Sequence, residues 1–434
     1  MDELRIEAKE LNQQASLLIK TGNADAAMEK LDKAIDIDPM CFDSYKNYGD
    51  LYMSMEKYIE AENAYKKAML IEKKPELYFN CGNACFMTDD VHRGLEYYNL
   101  ALTSGFDNEE MLFFMGMAYE HLNDDHMASR YFQKACIKNP SRPDFQVKRI
   151  HTMLKLNMLE EAEKAVDNLI LNSPELYDGY DLKIKILIHN NELEKAVEFA
   201  QKAVEKFPED VDLMQDYIRC LGLNGEYDKA IQKADNAKQM KYFDDFLEDF
   251  LMLEAELYAE NNEFEMAAER CVELINMEAK TGFNGEARFM LMNMKLAVPD
   301  YKGAYEMAVS LIKADEGDDY YYAALYYRPF CLKEMGQNED AKTFYEEANK
   351  IYRIGTLEKP EAIELYLYRS MCLKDIGEFD KALDILNFIF NLGLEVAEAY
   401  LLRSEIYRIQ GKDVLAEQDR KKANELKPEL NLNA

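Results

Sequence analysis

The sequence predicts an all-α solenoid of about twelve helix pairs, and three periodic features predict it. A small residue recurs at Ala27, Ala61, Gly94, Ala128, Ala162, Ala196, Ala230, Ala267, Ala304, Ala341, Ala382 and Ala416. The steps between them are 34, 33, 34, 34, 34, 34, 37, 37, 37, 41 and 34 residues. Two helices whose axes approach to about 8–10 Å need a small side chain where they cross, and a leucine there overpacks by about 1–3 kcal/mol. Five residues before most markers stands Gly or Asn, which accept positive φ just after a helix end: Gly22, Asn123, Asn157, Asn191, Gly225, Asn262, Gly336, Gly377 and Gly411. Glu56, Asp89 and Pro299 are the exceptions. Twelve residues after five of the markers stand Pro39, Pro140, Pro174, Pro208 and Pro428, where a second helix should stop.

The stretch Glu109–Arg142 shows one complete unit. Leu112, Met115, Gly116 and Tyr119 share a face of a first helix, and Asn123 follows its end. Ala128, Phe132 and Ala135 line a second helix, which Pro140 stops. Read as Leu-x2-Met-Gly-x2-Tyr, Ala-x3-Phe, Pro, the unit resembles the tetratricopeptide repeat, lacking the aromatic at the fourth position. The resemblance covers nearly the whole chain, from near Ala8 to near Leu430, and implies a right-handed superhelix with a concave inner face. It is strongest in Phe42–Lys74, Glu109–Arg142, Tyr177–Asp210 and Val396–Leu430. It weakens in Pro143–Leu176 and Glu248–Gly317, where the first helix has lost its small residue and its aromatic.

In chain order, residues 1–244 read as a regular array of seven repeats. Residues 245–434 read as five repeats with longer helices or connections and a C-terminal capping helix. The 37-residue steps add about one helical turn each, and the 41-residue step adds more around Gly355–Pro360. Glu316–Asp319 reads as a loop. Pro329 falls inside a predicted helix and is expected to kink or end it. The five tyrosines of Tyr320–Phe330 read as packing for the longer repeats rather than a stack for a ligand. Gln14 in the first repeat, and Arg420 with Lys421 and Lys422 in the last, stand where packing residues would be, as in solvated caps.

The net charge of −31 favours apolar or basic partners over nucleic acid or an anionic membrane surface. No apolar run approaches the roughly 20 residues of a membrane span. Met1–Glu10 carries six charges and reads as no secretory signal, and eight scattered cysteines suit reduced, cytoplasmic thiols. Cys81 and Cys85 fall on packing positions, and Cys220, Cys331 and Cys372 share one repeat position. Buried filler explains them better than metal ligation. The histidines form no His-Glu-x-x-His, and glycine-rich phosphate loops, Gly-x-Ser-x-Gly and nucleophile–base pairs are missing from the sequence. No catalytic residue, cofactor or metal is therefore assigned, and an enzyme is not expected.

The resemblance implies that the second, fifth, ninth and twelfth places of each first helix face inward. The second place is acidic at Asp43, Glu76, Glu110, Asp144, Asp178, Asp212, Asp249, Glu286, Glu364 and Glu398. That reads first as pairing with the helix dipole, worth about 0.3–1 kcal/mol each. The fifth place holds Phe79, Phe113 and Val147, then Met252, Phe289, Tyr326, Leu367 and Leu401. Ninth places hold Asn83, Met117, Asn293, Phe330 and Met371, and polar residues Asp181, Lys185, Gln215 and Arg219 lie between two apolar stripes. An apolar lining on a solvated groove marks a partner. The candidate peptide-binding residues are Phe79, Asn83, Phe113, Met117, Lys185, Arg219, Phe289, Asn293, Tyr326 and Phe330. The expected function is a non-catalytic cytoplasmic scaffold that binds an apolar or basic segment. The alternative is a peptide-sensing regulator whose superhelix changes pitch. Chaperone-binding relatives hold a terminal carboxylate with Lys, Asn and Arg on three neighbouring repeats. The nearest counterparts here are Lys46 and Asn80, but Asp50, Glu110 and Phe114 occupy the companion places and would disfavour a carboxylate.

Overall fold

The computed structural model describes residues 2–241, 243–277, 283–314 and 318–427. Among them are twenty-four α-helices in consecutive antiparallel pairs, the architecture of a tetratricopeptide-like solenoid. The first six pairs are α1 (Asp2–Lys20) and α2 (Ala24–Ile37), α3 (Phe42–Ser54) and α4 (Tyr58–Ile71), α5 (Pro75–Met87) and α6 (Val91–Thr103), α7 (Glu109–His121) and α8 (Asp125–Lys138), α9 (Pro143–Lys155) and α10 (Leu159–Asn172), α11 (Tyr177–His189) and α12 (Leu193–Lys206). The next six are α13 (Val211–Leu223) and α14 (Tyr227–Ala237), α15 (Leu247–Glu260) and α16 (Phe264–Asn276), α17 (Phe283–Ala297) and α18 (Tyr301–Ala314), α19 (Asp318–Glu334) and α20 (Asn338–Glu358), α21 (Ile363–Asp375) and α22 (Phe379–Asn391), α23 (Ala397–Ile409) and α24 (Asp413–Leu426). Packing divides the chain into two units, Met1–Asp216 and Tyr217–Ala434. The change of repeat spacing near Asp244–Asp245 falls on a 3-10 turn, Phe243–Phe246.

The turn inside every pair has one geometry. All twelve residues five before the markers have positive φ, including the three exceptions: 58° at Glu56, 63° at Asp89 and 23° at Pro299. The next amide donates to the carbonyl five residues back, as in Asp124 to Tyr119 at 2.9 Å, Lys57 to Tyr52 at 2.9 Å and Asp300 to Lys295 at 2.8 Å. This Schellman closure satisfies carbonyls that the helix end leaves open. The backbone is therefore constant where the residue type is not.

The markers sit at the crossings, each alanine no more than 2% exposed. At Gly94 the demand is visible directly: a Cβ there would lie 3.2 Å from the Gly82 carbonyl oxygen of the facing helix. A second small position lies on the first helix, sixteen residues before a large one on the second. A Cβ on Gly116 would meet the Phe132 ring at 2.6 Å, and Gly49 with Tyr65 and Gly82 with Tyr98 repeat the arrangement. In three repeats whose first helix lacks the glycine, the sizes are exchanged. Ile184 faces Ala200 in register, Ile218 faces Ala234 and Met292 faces Ala308, all fully buried. Within Glu248–Gly317 this accounts for the weakened pattern of the Met292–Ala308 repeat, whereas the other repeat keeps a small first-helix residue, Ala255, against Cys271. In Pro143–Leu176 the pair is Ile150 with Val166, both fully buried.

The second helices α2, α8, α10 and α12 end two residues before Pro39, Pro140, Pro174 and Pro208. Pro428 and Leu430 lie outside the described residues. Longer helices supply much of the longer steps: α17 has 15 residues, α19 has 17 and α20 has 21, against 13 in α3, α5 and α7. The helix α20 runs through Gly355 rather than breaking there. Pro329 does not end its helix, which continues to Glu334. It occupies the small position sixteen residues before buried Tyr345, so a compact residue is what that register requires. Of the loop expected at Glu316–Asp319, Glu316 and Gly317 lie outside the described residues, whereas Asp318 and Asp319 open α19. Gln14 is exposed, and the nearby Asn12 is buried and bonds Ser44 Oγ at 3.0 Å.

Candidate peptide groove

All ten second-place acids lie in the first turn of their helices, where the N-terminal end of the dipole favours a carboxylate. The fifth places divide by burial. In the first unit Phe79 is 7% exposed, with ring centroids 5.5 Å from Phe106 and 6.0 Å from both Tyr98 and Phe114. In the second unit Met252 and Tyr326 are 3% and 4% exposed, and the Tyr326 hydroxyl donates to Asp375 at 2.9 Å. These three are core residues, not members of an exposed stripe. Each first helix must also pack against the next repeat, and a large side chain at the fifth place is drawn into that seam.

The other expected site residues fare differently. Phe113 is half-buried and stacks on Phe145 at 4.5 Å, and Met117 is half-buried beside it on α7. Asn83 accepts the Tyr98 hydroxyl at 2.8 Å, so it orients the ring that fills the space above Gly82. Lys185 is exposed but paired with Asp181 at 2.6 Å, and Lys46 is likewise paired with Asp50 at 2.9 Å. Phe289 is half-buried against Tyr320 at 5.3 Å, Phe330 stacks on Tyr326 at 6.1 Å, and Asn293 is exposed. Arg219 is exposed and lines a cavity of about 580 Å³ with Leu253, Glu256 and Met290. Burial pushes the Glu256 carboxyl up, and the charge of Glu286 adds to it while Arg219 opposes.

In the second unit, α21 and α23 enclose a cavity of about 350 Å³. Leu367, Met371 and Leu401, from the fifth and ninth places, form its apolar part. Glu364, Glu398 and Glu405 line it as well, and Lys374 bonds Glu405 at 2.8 Å while Lys427 pairs with Glu398. An adjoining cavity of about 340 Å³ shares Glu364 and Tyr368 and is lined by Phe289, Tyr320 and Tyr322. Tyr322, Tyr327, Tyr368 and Lys374 were not among the expected site residues. Lys374 occupies a twelfth place, already expected to face inward, and Tyr368 follows the fifth-place Leu367, so reading one residue wider could have found it.

Seven of the eight cysteines are buried. Cys81, Cys271 and Cys331 are fully buried, and burial pushes each thiol up to about 12. No helix among the described residues is long and apolar enough to cross a membrane.

Twelve pairs in register, one turn geometry and a small residue at every crossing meet the repeat pattern. The family model of the tetratricopeptide repeat matches residues 11–40, 42–75 and 109–136. The chain carries tetratricopeptide repeats in these stretches and has the helix-pair architecture of that family. Members of this family generally mediate protein–protein interactions and are usually non-catalytic. No curated protein matches the sequence. Among solved structures, the repeat protein is similar to YrrB, a TPR protein with an unusual peptide-binding site, at 22% identity and a TM-score of 0.38 over 42% of this chain and 94% of that one. It is similar to pilF of Pseudomonas aeruginosa at 16% identity and 0.41, over 50% and 96%. It is also similar to human IFIT1, solved as a dimer with m7Gppp-AAAA, at 15% identity and 0.43, over 90% and 95%. At these identities the likeness is one of repeat architecture.

Proposed function

We propose that the protein is a non-catalytic cytoplasmic scaffold that binds an apolar or basic polypeptide segment on the first-helix faces of its second unit. One observation carries this reading: the cavity between α21 and α23 joins an apolar patch of Leu367, Met371 and Leu401 to the Glu364 carboxylate, with Glu398 and Glu405 beside it already paired with Lys427 and Lys374. Apolar side chains gain about 25 cal/mol per Å² on entering such a cleft, and carboxylates nearby favour cations over anions. The net charge of −31 works in the same direction at longer range and against nucleic acid. Phe113 and Met117 of the first unit offer a smaller, half-buried patch of the same type.

The test is selection from a random peptide library on the purified protein and on its Leu401→Lys and Met371→Lys variants. Sequences rich in Arg or Lys beside Leu, Met or Phe should be selected, and both variants should lose them. Enrichment of acidic sequences, or selection indifferent to both variants, contradicts the reading.

A further inference from the structure

The smaller of the two joined cavities is walled mainly by aromatic rings. Phe289 comes from α17, Tyr320 and Tyr322 from α19, and Tyr368 from α21, around about 340 Å³ that also touches Glu364. Phe289 and Tyr320 lie 5.3 Å apart between ring centroids. Tyr322 and Tyr368 are braced from behind by fully buried Tyr352, at 6.1 Å and 5.8 Å. The Tyr352 hydroxyl donates to the Tyr322 backbone carbonyl at 2.6 Å. Gly355 permits this closeness, because a Cβ there would lie 3.0 Å from Leu365 Cδ1 and 3.4 Å from the Tyr322 hydroxyl. The walls are therefore held before any ligand arrives.

Ring faces carry the negative part of the aromatic quadrupole, so several of them around one space attract a cation that has shed water. Glu364 adds a full negative charge at the boundary with the apolar cavity. Lys359 also lines the space and is not without a partner in the protein. An anion would meet four aromatic rings and the Glu364 carboxylate as well as Lys359.

We propose that this aromatic cavity holds a cationic side chain, arginine or an alkylated lysine, from the same segment whose apolar residue fills the Leu367–Met371–Leu401 cavity. The proposal rests on the groove reading and sharpens it: the partner presents a cation beside an apolar residue, and the two enter cavities that share Glu364 and Tyr368. The cavity discriminates by charge, not by size.

The experiment uses the full chain with 13C-methyl alanine, because Ala323 and Ala362 line this cavity. It is titrated with choline, with propylguanidinium and with the neutral isostere of choline, 3,3-dimethylbutanol. Both cations should shift the two methyl signals saturably, and the neutral isostere should bind at least fivefold more weakly. Glu364→Gln should weaken the cations about fivefold and leave the isostere unchanged. Leu401→Lys should leave the small cations unaffected while abolishing binding of a library-selected peptide. Equal binding of the isostere, no saturable shift, or tighter occupancy by a 7-methylguanosine-capped oligonucleotide than by a cationic peptide would overturn the proposal. If the groove reading alone fails, the small cations still bind but no basic–apolar peptide is selected. If the cation cavity alone fails, peptides are selected without a required cation.

Discussion

Exchanging the sizes of one crossing pair is the sharpest test of how the repeats pack. In α7 and α8, Gly116 lies beneath Phe132, and a Cβ on the glycine would meet the ring at 2.6 Å. Phe132 is fully buried and cannot swing into solvent. Gly116→Ile should therefore cost about 1–3 kcal/mol in overpacking, even after the gain in helix propensity. Phe132→Ala should cost about 3–5 kcal/mol through lost burial and the cavity left behind. The double variant recreates the Ile184–Ala200 and Ile218–Ala234 arrangement that the same chain uses elsewhere. It should be more stable than Phe132→Ala alone, with a favourable coupling of about 2 kcal/mol. Urea unfolding by far-ultraviolet circular dichroism measures the whole array, and hydrogen exchange of α7 and α8 amides isolates the altered repeat, because repeat arrays can open locally. Additive penalties within about 0.5 kcal/mol would refute the claim that these positions share one volume.

Three further outcomes follow from particular residues. Glu56→Asn should stabilise the first unit by about 1 kcal/mol in thermal unfolding, because Glu56 holds φ 58° at an exposed turn where asparagine is less strained. Phe79→Ala should lower the stability of the first unit by about 3–5 kcal/mol, so any loss of partner binding in that variant should track unfolding in circular dichroism rather than precede it. Burial pushes the Glu62 carboxyl up, but the hydrogen bond and charge of Lys66 at 2.7 Å, with the charge of Arg93, outweigh it and leave the group below its ordinary 4.5. A carboxyl held low when folded adds stability above 4.5 and loses it as pH falls through the folded value. Stability of the first unit should therefore drop on acidification below 4.5, and Glu62→Gln should flatten that part of the pH profile in urea titrations.

The periodic small residue made the fold legible, because a helix crossing constrains a single position in every repeat. The turn was legible at nine of twelve places. Glu56, Asp89 and Pro299 hid it because the neighbouring amide-to-carbonyl bond imposes positive φ on whatever residue stands there. Pattern reading failed where two positions share one constraint. Met292 and Ala308 look like a lost signature until they are seen as a pair, and Pro329 looks like a break until it is placed opposite Tyr345. Spacing made it legible which first-helix residues share a face, but not how deeply each is buried. Spacing put Phe79, Met252, Tyr326, Leu367 and Leu401 on equivalent places, yet packing against the next repeat buries the first three and leaves the last two to line a cavity.

The most direct test of the binding account is to follow 13C-methyl signals of Leu367, Met371 and Leu401 while a library-selected basic–apolar peptide is added. The account predicts saturable shifts at these three residues, with no comparable change on the opposite helices α22 and α24. Peptide binding that leaves all three unmoved while shifting α22, α24 or the first unit would contradict it.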